Sequence, residues 1–282
     1  MRPNEKTWAD ASKKWLEETC DKKDHKNDVS KLRWIGAFWN EVSLSEIDRE
    51  AIQALVKKKK GKVKPATVNR YLALIRAILR CSCDEWQWLD RVPRIRMLKE
   101  LSRRIRWLTS DQAKRLLDEL PEHQRHAAIF ALSTGLRAGN VLGLKWDQID
   151  FKRRFCYFDS SEVKNDEELF IALNDSALSV LRARRSMHNE YVFTYKGKRI
   201  GRLNTAAWKK ALNRAGIENF RWHDLRHTWA SWLVQEGVPL YALQEMGGWK
   251  SSSMVRRYAH LSFENTLQYS RILDTRFNVL IV

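Results

Sequence analysis

Hydrophobic periodicity weakens between Asp90 and Arg106, and this break divides the chain of 282 residues into two parts. Residues 91–106 contain seven arginine and lysine side chains against a single acidic one, Glu100. Pro93 also interrupts any helix in this stretch. We therefore expect an interdomain linker over residues 91–106, with a solvated charged surface as the alternative. The total length suits two ordinary domains.

Residues 1–90 carry the periodicity of amphipathic helices, which predicts an all-α bundle of four helices. The first two helices are predicted over residues 7–20 and 29–42, and the third starts near Ser45. Pro65 stands before the fourth helix, and Thr67 is its expected cap. This fourth helix, ATVNRYLALIRAILRC, has a single apolar face made of Val68, Tyr71, Leu72, Ile75, Ile78 and Leu79.

Residues 107–282 mix helical segments with short stretches of alternating hydrophobicity. The segment WLTSDQAKRLLDEL begins with a capping box formed by Thr109 and Gln112. Strand-like segments begin at Phe155, Leu169 and Tyr191. The fold class expected for the whole chain is therefore a helical N-terminal bundle followed by a mainly α-helical domain with a small antiparallel β-sheet.

The charge of the chain favours a polyanionic partner, because 52 lysines and arginines face 34 acidic residues and give a net charge of +18. Such a partner is nucleic acid or an anionic membrane. No apolar run approaches the roughly 20 residues of a membrane-spanning helix. The N-terminus lacks the apolar region of a signal peptide. We expect a cytoplasmic protein, associated with the nucleoid if its partner is DNA.

Two histidines and an arginine in HDLRHTWASWLVQEG are candidates for chemistry. On a helix His223 and Arg226 share a face, because they are three residues apart. His223 and His227 are four apart, a spacing that also occurs in zinc sites, but Asp224 stands where that motif needs glutamate. The sequence offers no obvious third ligand. We therefore expect no metal site and interpret His227 as a buried, hydrogen-bonded histidine.

Four motifs in a fixed order resemble the catalytic domain of the tyrosine recombinases, or phage integrases. These motifs are TGLRAGNVLGLKW, the lysine in VKN, HDLRHTWAS and GGWKSSSMVRRYAHL. The fourth predicted helix also resembles the core-binding domain of this family, which has a SAM-like helical fold. The resemblance implies a site-specific DNA recombinase with domains at residues 1–90, 91–106 and 107–282. The first is a core-binding domain, the second a basic linker and the third the catalytic domain.

The resemblance implies a role for each matching residue. Tyr258 is the nucleophile, and Arg137 and Arg226 neutralise the phosphate oxygens. His223 assists as acid or base, and Lys164 protonates the leaving 5′ oxygen. Two guanidiniums make a metal or other cofactor unnecessary for charge stabilisation.

One position matches a variable place in the family pattern, and another position departs from the pattern. Trp249 stands where the family has histidine or tryptophan, and an indole N–H can donate a hydrogen bond but cannot shuttle a proton. Trp249 should therefore stabilise and pack. Asn140 stands where many members have a glutamate that braces the first arginine, so the bracing of Arg137 must come from elsewhere.

The implied partners are double-stranded DNA and three further copies of the chain, which form a tetramer on two recombining sites; an accessory directionality factor is a further candidate. An apolar tail, residues 279–282, either packs on its own domain or docks on a neighbouring protomer. Two other functions stay open: a monomeric type IB topoisomerase and a DNA-binding regulator with idle catalytic residues. The candidate DNA contacts are Asn69 and Arg70 on the fourth helix and Arg91, Arg94, Arg103, Arg104 and Arg106 in the linker.

Overall fold

The computed structural model describes residues 5–100, 105–162, 167–203, 205–262 and 269–272. The chain divides into two compact units, residues 1–103 and 104–282. Over the described residues it is mostly helical, with small antiparallel sheets in the second unit. None of the helices in these ranges has the length and apolar character needed to cross a membrane.

The described part of the first unit is built from helices. A capping box between Thr7 and Asp10 starts the first helix, because each side chain satisfies a backbone N–H at its N-terminus. A π-helical turn, Cys81–Glu85, follows the fourth helix. The helices predicted over residues 7–20 and 29–42 are confirmed, with boundaries shifted by a few residues. The four α-helices are α1 (Trp8–Glu18), α2 (His25–Trp39), α3 (Arg49–Lys59) and α4 (Pro65–Arg80).

Two details of the helix starts differ from the sequence prediction. The third helix begins later than Ser45, because a 3₁₀ turn, Leu44–Glu46, precedes it and the Asp48 carboxylate caps α3 through the Ala51 N–H. The prediction that Thr67 caps the fourth helix is wrong. Pro65 is itself the first residue of α4, a position that suits proline because the first N–H of a helix has no partner within the helix.

The core of the first unit is formed by aromatic and aliphatic side chains of all four helices. Trp8 and Trp39 meet edge to face, with ring centroids 5.3 Å apart. Part of the predicted linker packs on this core: Ile95 is only 8% exposed. The Arg76 guanidinium donates to the Ile95 carbonyl over 2.6 Å. Residues near Ile95 are thus an ordered part of the first unit.

The second unit holds the remaining α-helices and the strands. The predicted capping box of Thr109 and Gln112 is present at the start of its first helix. The helices are α5 (Ser110–Glu119), α6 (Glu122–Thr134), α7 (Ala138–Gly143), α8 (Asp175–Arg184), α9 (Ala206–Arg214), α10 (Asp224–Gln235), α11 (Leu240–Gly247) and α12 (Ser252–Val255). A 3₁₀ segment, Arg256–Ser262, follows α12.

In the described part of the second unit the strands form two small antiparallel sheets. The first has the strand order β1 (Ile149–Asp150), β2 (Phe155–Phe158) and β3 (Leu169–Ala172), with Cys156 paired to Ile149 on one side and Ile171 on the other. The second is a hairpin of β4 (Thr194–Tyr195) and β5 (Lys198–Arg199). The strands predicted at Phe155 and Leu169 are confirmed. The strand predicted from Tyr191 is shorter, because Tyr191 makes only an isolated bridge to Lys145.

Candidate active site

Arg226 is fixed on three sides by its surroundings. It lies in the first turn of α10, and only 4% of it is exposed. Its guanidinium donates to the Gly135 carbonyl over 2.7 Å and to the Gly247 carbonyl over 2.6 Å. The Trp249 ring covers the guanidinium, with its centroid 4.0 Å from the central carbon. Burial lowers the pKa of Arg226 to about 9, which leaves it charged near neutral pH.

The two carbonyl partners come from glycines that allow close approach of aromatic rings. Gly135 ends α6 in the left-handed region with φ 65°, and an added Cβ would lie 2.3 Å from the Trp229 ring. At Gly247 an added Cβ would lie 2.1 Å from the Trp249 ring. Glycine tolerates the left-handed backbone at position 135 and the close aromatic ring at both positions, because it has no Cβ. The backbone is thereby brought against Arg226 from α6 and from α11.

Arg137 supplies a second guanidinium to the same region. It caps the start of α7, and burial lowers its pKa. Its charge lowers the pKa values of Arg226 and His223, so the three groups lie within electrostatic reach of one another. The Arg137 Nη1 atom is buried and has no hydrogen-bond partner among the described residues. A buried, unpaired donor between like charges favours an anion.

Tyr258 lies in the 3₁₀ segment after α12 and is only 1% exposed. Its hydroxyl lies 2.6 Å from the Nδ1 atom of His227. Burial raises the pKa of Tyr258 to about 12, whereas the nearby charges of Arg226 and Arg257 act in the opposite direction. The tyrosine is therefore a protonated phenol near neutral pH.

His223 stands at the N-terminal boundary of α10, beside His227. The two imidazole rings meet edge to face, with centroids 5.2 Å apart. Desolvation by the surrounding protein lowers the pKa of His223, and the charge of Arg226 lowers it further. Over the described residues, no cluster of three or more histidine, cysteine, aspartate or glutamate side chains could hold a metal ion.

The second unit thus brings five of the predicted catalytic residues into one region: Arg137, His223, Arg226, Trp249 and Tyr258. The sixth, Lys164, lies outside the described residues. The sequence interpretation of His227 as a buried, hydrogen-bonded side chain missed that its partner is the Tyr258 hydroxyl. No spacing rule could reveal this, because the two residues are 31 positions apart. The roles of Gly135 and Gly247 were also missed, although glycines in turns beside motif residues were a visible signal.

The predicted DNA contacts occupy different environments. Arg70, Arg91, Arg94 and Arg106 are exposed, whereas Arg103 and Arg104 lie outside the described residues. The Asn69 side chain exchanges hydrogen bonds with the Leu98 backbone over 2.9 and 2.8 Å and donates to Glu100. These bonds tie α4 to the ordered part of the predicted linker.

Comparison with known proteins identifies the family. The phage integrase family matches residues 106–265, which is more than half of the chain. The integrase of Salmonella phage P22 is 38% identical, over 96% of this chain and 80% of that integrase. The chain belongs to the phage integrase family. As a member of this family, it is a tyrosine site-specific recombinase, and the predictions of family and enzyme class are confirmed.

Solved structures of integrases share the fold. The Tn1549 transposon integrase, in complex with transposon right end DNA, superimposes with a TM-score of 0.77 at 15% identity, over 95% of this chain and 99% of that chain. A lambda integrase tetramer bound to a Holliday junction gives a TM-score of 0.73 at 19% identity, over 89% of this chain and 80% of that one. At these identities the likeness establishes the fold alone.

Proposed function

We propose that the chain integrates and excises a phage or another mobile element by cleaving and rejoining DNA through a covalent link to Tyr258. One observation carries this proposal more than any other. A buried tyrosine hydroxyl lies in the same region as a fixed Arg226 and an Arg137 with an unpaired buried donor. A phosphodiester would complete this arrangement, because it brings both an anion for the arginines and an electrophile for the tyrosine.

The two arginines would bind the non-bridging oxygens of the scissile phosphate. Negative charge grows on these oxygens in the pentacoordinate transition state, and fixed guanidiniums stabilise it without reorganising. Arg226 uses two of its five N–H groups for the Gly135 and Gly247 carbonyls, which leaves others for the phosphate. Arg137 adds the unpaired Nη1 atom.

Tyr258 would attack the phosphorus and displace the 5′ oxygen of the next nucleotide. The products are a 3′-phosphotyrosine and a free 5′ hydroxyl. The family resemblance assigns protonation of the leaving oxygen to Lys164. Because the phosphoester bond is kept in the covalent link, attack by a 5′ hydroxyl of the partner DNA reseals the strand without ATP.

The burial of Tyr258 implies a movement before cleavage. A hydroxyl in a side chain that is 1% exposed cannot reach a phosphate in solvent. We propose that DNA binding shifts the short α12 and the 3₁₀ segment Arg256–Ser262, which carry the tyrosine. Trp249 would keep Arg226 in place during this movement, because its ring is held by contact with Trp229 as well.

Integration would require several copies of the chain. The P22 relative is named an integrase, and the lambda relative was solved as a tetramer on a Holliday junction. We propose that this chain forms a homotetramer on two recombining DNA sites, which can be checked by the mass of the complex on paired sites. The accessory directionality factor and the location at the nucleoid stay predictions. The apolar tail, residues 279–282, lies outside the described residues.

The first unit would act as a SAM-like core-binding domain that grips the DNA together with the catalytic domain. Its α4 carries Arg70, and exposed Arg91 and Arg94 follow in the predicted linker. The Asn69 side chain is already engaged in hydrogen bonds to Leu98 and Glu100, so its contact with DNA stays a prediction. The domain boundaries at residues 90, 106 and 107 also stay predictions.

The two other functions make different predictions for the same protein. A type IB topoisomerase would share the covalent chemistry but act alone on one duplex. A regulator would bind DNA and form no covalent protein–DNA complex. The P22 and transposon relatives favour recombination over both.

The proposal is tested by covalent capture on a library of nicked duplexes with a randomised core, incubated in excess EDTA. Wild-type protein should retain DNA after denaturation, and sequencing of this DNA defines the site. Tyr258→Phe should bind the selected duplex with unchanged affinity and form no covalent complex, because only the hydroxyl is removed. Tyr269→Phe, a change at an exposed tyrosine, is the matched control and should cleave normally. Covalent DNA on the Tyr258 variant, or a need for a divalent ion, would contradict the proposal.

A further inference from the structure

The closest polar neighbour of the Tyr258 hydroxyl is His227, which lies on the second turn of α10. Their contact joins Nδ1 and the hydroxyl oxygen over 2.6 Å, and the two rings lie with centroids 5.9 Å apart. His223, which the family resemblance assigns as acid or base assistant, instead meets the edge of the His227 ring. The histidine in hydrogen-bond contact with the reacting oxygen is therefore His227.

The protonation states of the pair are compatible with donation from the phenol to the imidazole. Burial lowers the pKa of His227 to about 4. Burial also raises the pKa of Tyr258 to about 12. Near neutral pH the imidazole is neutral and the phenol is protonated, so the hydroxyl can donate to the lone pair on Nδ1. This direction requires the tautomer that carries the ring proton on Nε2.

The charged groups around His227 come from two elements. On α10 the neighbouring charge of Asp224 raises the pKa of the imidazole, whereas those of His223 and Arg226 lower it. From the 3₁₀ segment, Arg257 lowers it as well. A bound phosphate would add negative charge to this region, which favours the imidazolium at the moment when the tyrosine attacks.

We propose that His227 is a catalytic base that takes the phenolic proton of Tyr258 during cleavage. This inference rests on the proposed function of Tyr258 as nucleophile. As the O–P bond to the tyrosine forms, the phenol O–H bond breaks and its proton moves to Nδ1. The P–O bond to the 5′ oxygen breaks in the same step. In resealing, the imidazolium returns this proton to the tyrosine oxygen as the phosphotyrosine bond breaks, so the base is regenerated.

The geometry explains why such a base is needed at this position. A phenol in a buried site loses its proton less readily than in water. Its acidity increases as the oxygen bonds to phosphorus, so transfer to a neutral imidazole becomes favourable during the attack rather than before it. The hydrogen bond also holds the hydroxyl in one orientation before DNA binds, and the role as base requires that this contact is kept when the 3₁₀ segment shifts. His227 therefore combines a positioning contact with proton transfer.

The test compares three variants on the duplex selected by covalent capture, under single-turnover conditions. His227→Ala removes both the contact and the base. His227→Asn keeps an acceptor oxygen near the position of Nδ1 but cannot take a proton, and it remains available if the alanine variant does not fold. His126→Ala is the matched control, because His126 is also a partly buried helical histidine with a lowered pKa. Melting curves verify that each variant is folded.

We expect both His227 variants to cleave about 100-fold more slowly at neutral pH, since a general base contributes roughly 10²–10⁴-fold. Their cleavage rate should rise about tenfold per pH unit between pH 6 and 9, because hydroxide must now remove the proton, whereas the wild-type rate stays nearly level. Added imidazole should restore cleavage by His227→Ala. His126→Ala should behave as wild type.

Three results would overturn the inference. One is a wild-type rate in both His227 variants. Another is full activity in His227→Asn alone, which would reduce His227 to a positioning contact. The third is a slow rate with a level pH profile and no imidazole rescue. Each is distinct from failure of the proposed function itself, because that failure would appear as covalent DNA on Tyr258→Phe, as a need for a divalent ion, or as a wild-type protein that forms no covalent complex.

Discussion

The position of the Arg226 guanidinium depends on two backbone carbonyls and on an aromatic ring. Its guanidinium is held by the Gly135 and Gly247 carbonyls, and Trp249 stacks on its face. A stacked ring contributes roughly 0.5–2 kcal/mol to the binding of a cation, more where water is excluded. The position occupied by histidine or tryptophan in this family therefore serves, in this chain, to cover the arginine. Tryptophan does so without adding a group that titrates.

At the residue scale, the lowered pKa of His227 predicts a loss of stability in acid. The unfolded chain binds a proton at this histidine below about pH 6.5, whereas the folded chain resists it until about pH 4. The unfolded state therefore binds more protons between these values, and the free energy of unfolding falls as the pH drops through this window. His227 should contribute about 1–2 kcal/mol of this fall, once the solvent that reaches the ring is allowed for.

Melting curves of wild type and His227→Asn between pH 7 and 4 measure this contribution. His123, His126 and His223 also have lowered pKa values, so the wild type should lose further stability through them. The effect of His227 is the difference between the two proteins in the slope of stability against pH. Identical slopes in both proteins would contradict the assigned direction of the pKa shift.

At the scale of the element, the junction of α6 and α7 predicts a contrast between two glycines. Gly135→Ala places a Cβ against the Trp229 ring and forces alanine into the left-handed region. The free energy of unfolding should fall by about 3 kcal/mol, since overpacking costs roughly 1–3 kcal/mol and the left-handed backbone of a residue with a Cβ roughly 1–2 kcal/mol. Cleavage should fall as well, because the Gly135 carbonyl holds Arg226.

Gly139→Ala is the matched control, four residues later in α7. An added Cβ at this glycine meets nothing within 4 Å, and its φ is not positive. Alanine in a helix should leave stability unchanged or raise it by up to about 1 kcal/mol. Denaturant unfolding measures the stability of both variants. Equal changes would show that the close approach of Gly135 to the Trp229 ring does not affect the free energy of unfolding.

The elements also show where sequence reasoning succeeds and where it stops. Amphipathic periodicity predicts α1, α2 and α4, and the capping box predicts the start of α5 at Thr109, because these signals are local in the chain. The start of α3 was missed, since a 3₁₀ turn at Leu44 separates it from the preceding residues. The two-residue strand β1 was also missed, because so short a strand depends on its partner β2 rather than on its own pattern.

The candidate site follows the same division between local and distant signals. The motif order led to Arg137, Arg226 and Tyr258 because each motif is a short, continuous string. The contact of His227 with Tyr258 depends on how α10 meets the 3₁₀ segment, so only the folded chain reveals it. The unpaired Nη1 atom of Arg137 is likewise a property of packing.

At the scale of the whole molecule, the excess of positive charge attracts DNA of any sequence. The net charge of +18 draws the chain to any polyanion, whatever its sequence. Specific contacts must therefore be separated from this general attraction. Ionic strength does so, because each phosphate neutralised by a bound cation changes the salt dependence of affinity by about 0.9 log units per decade of salt.

The last prediction assigns part of this dependence to Arg103, Arg104 and Arg106, which lie in the sequence at the boundary of the two units. Neutralising Arg103, Arg104 and Arg106 to glutamine should lower the slope of log affinity against log salt by about 2–3, if each contacts one phosphate. The matched control neutralises Lys152, Arg182 and Arg185, three exposed cations of the second unit, and lowers the net charge by the same amount. Fluorescence anisotropy on the selected duplex from 50 to 300 mM salt gives both slopes. Equal changes in the two proteins would mean that only the net charge matters and that residues 103–106 form a solvated surface. A larger change in the first protein identifies these residues as phosphate contacts, because a local contact releases counterions that a distant charge does not.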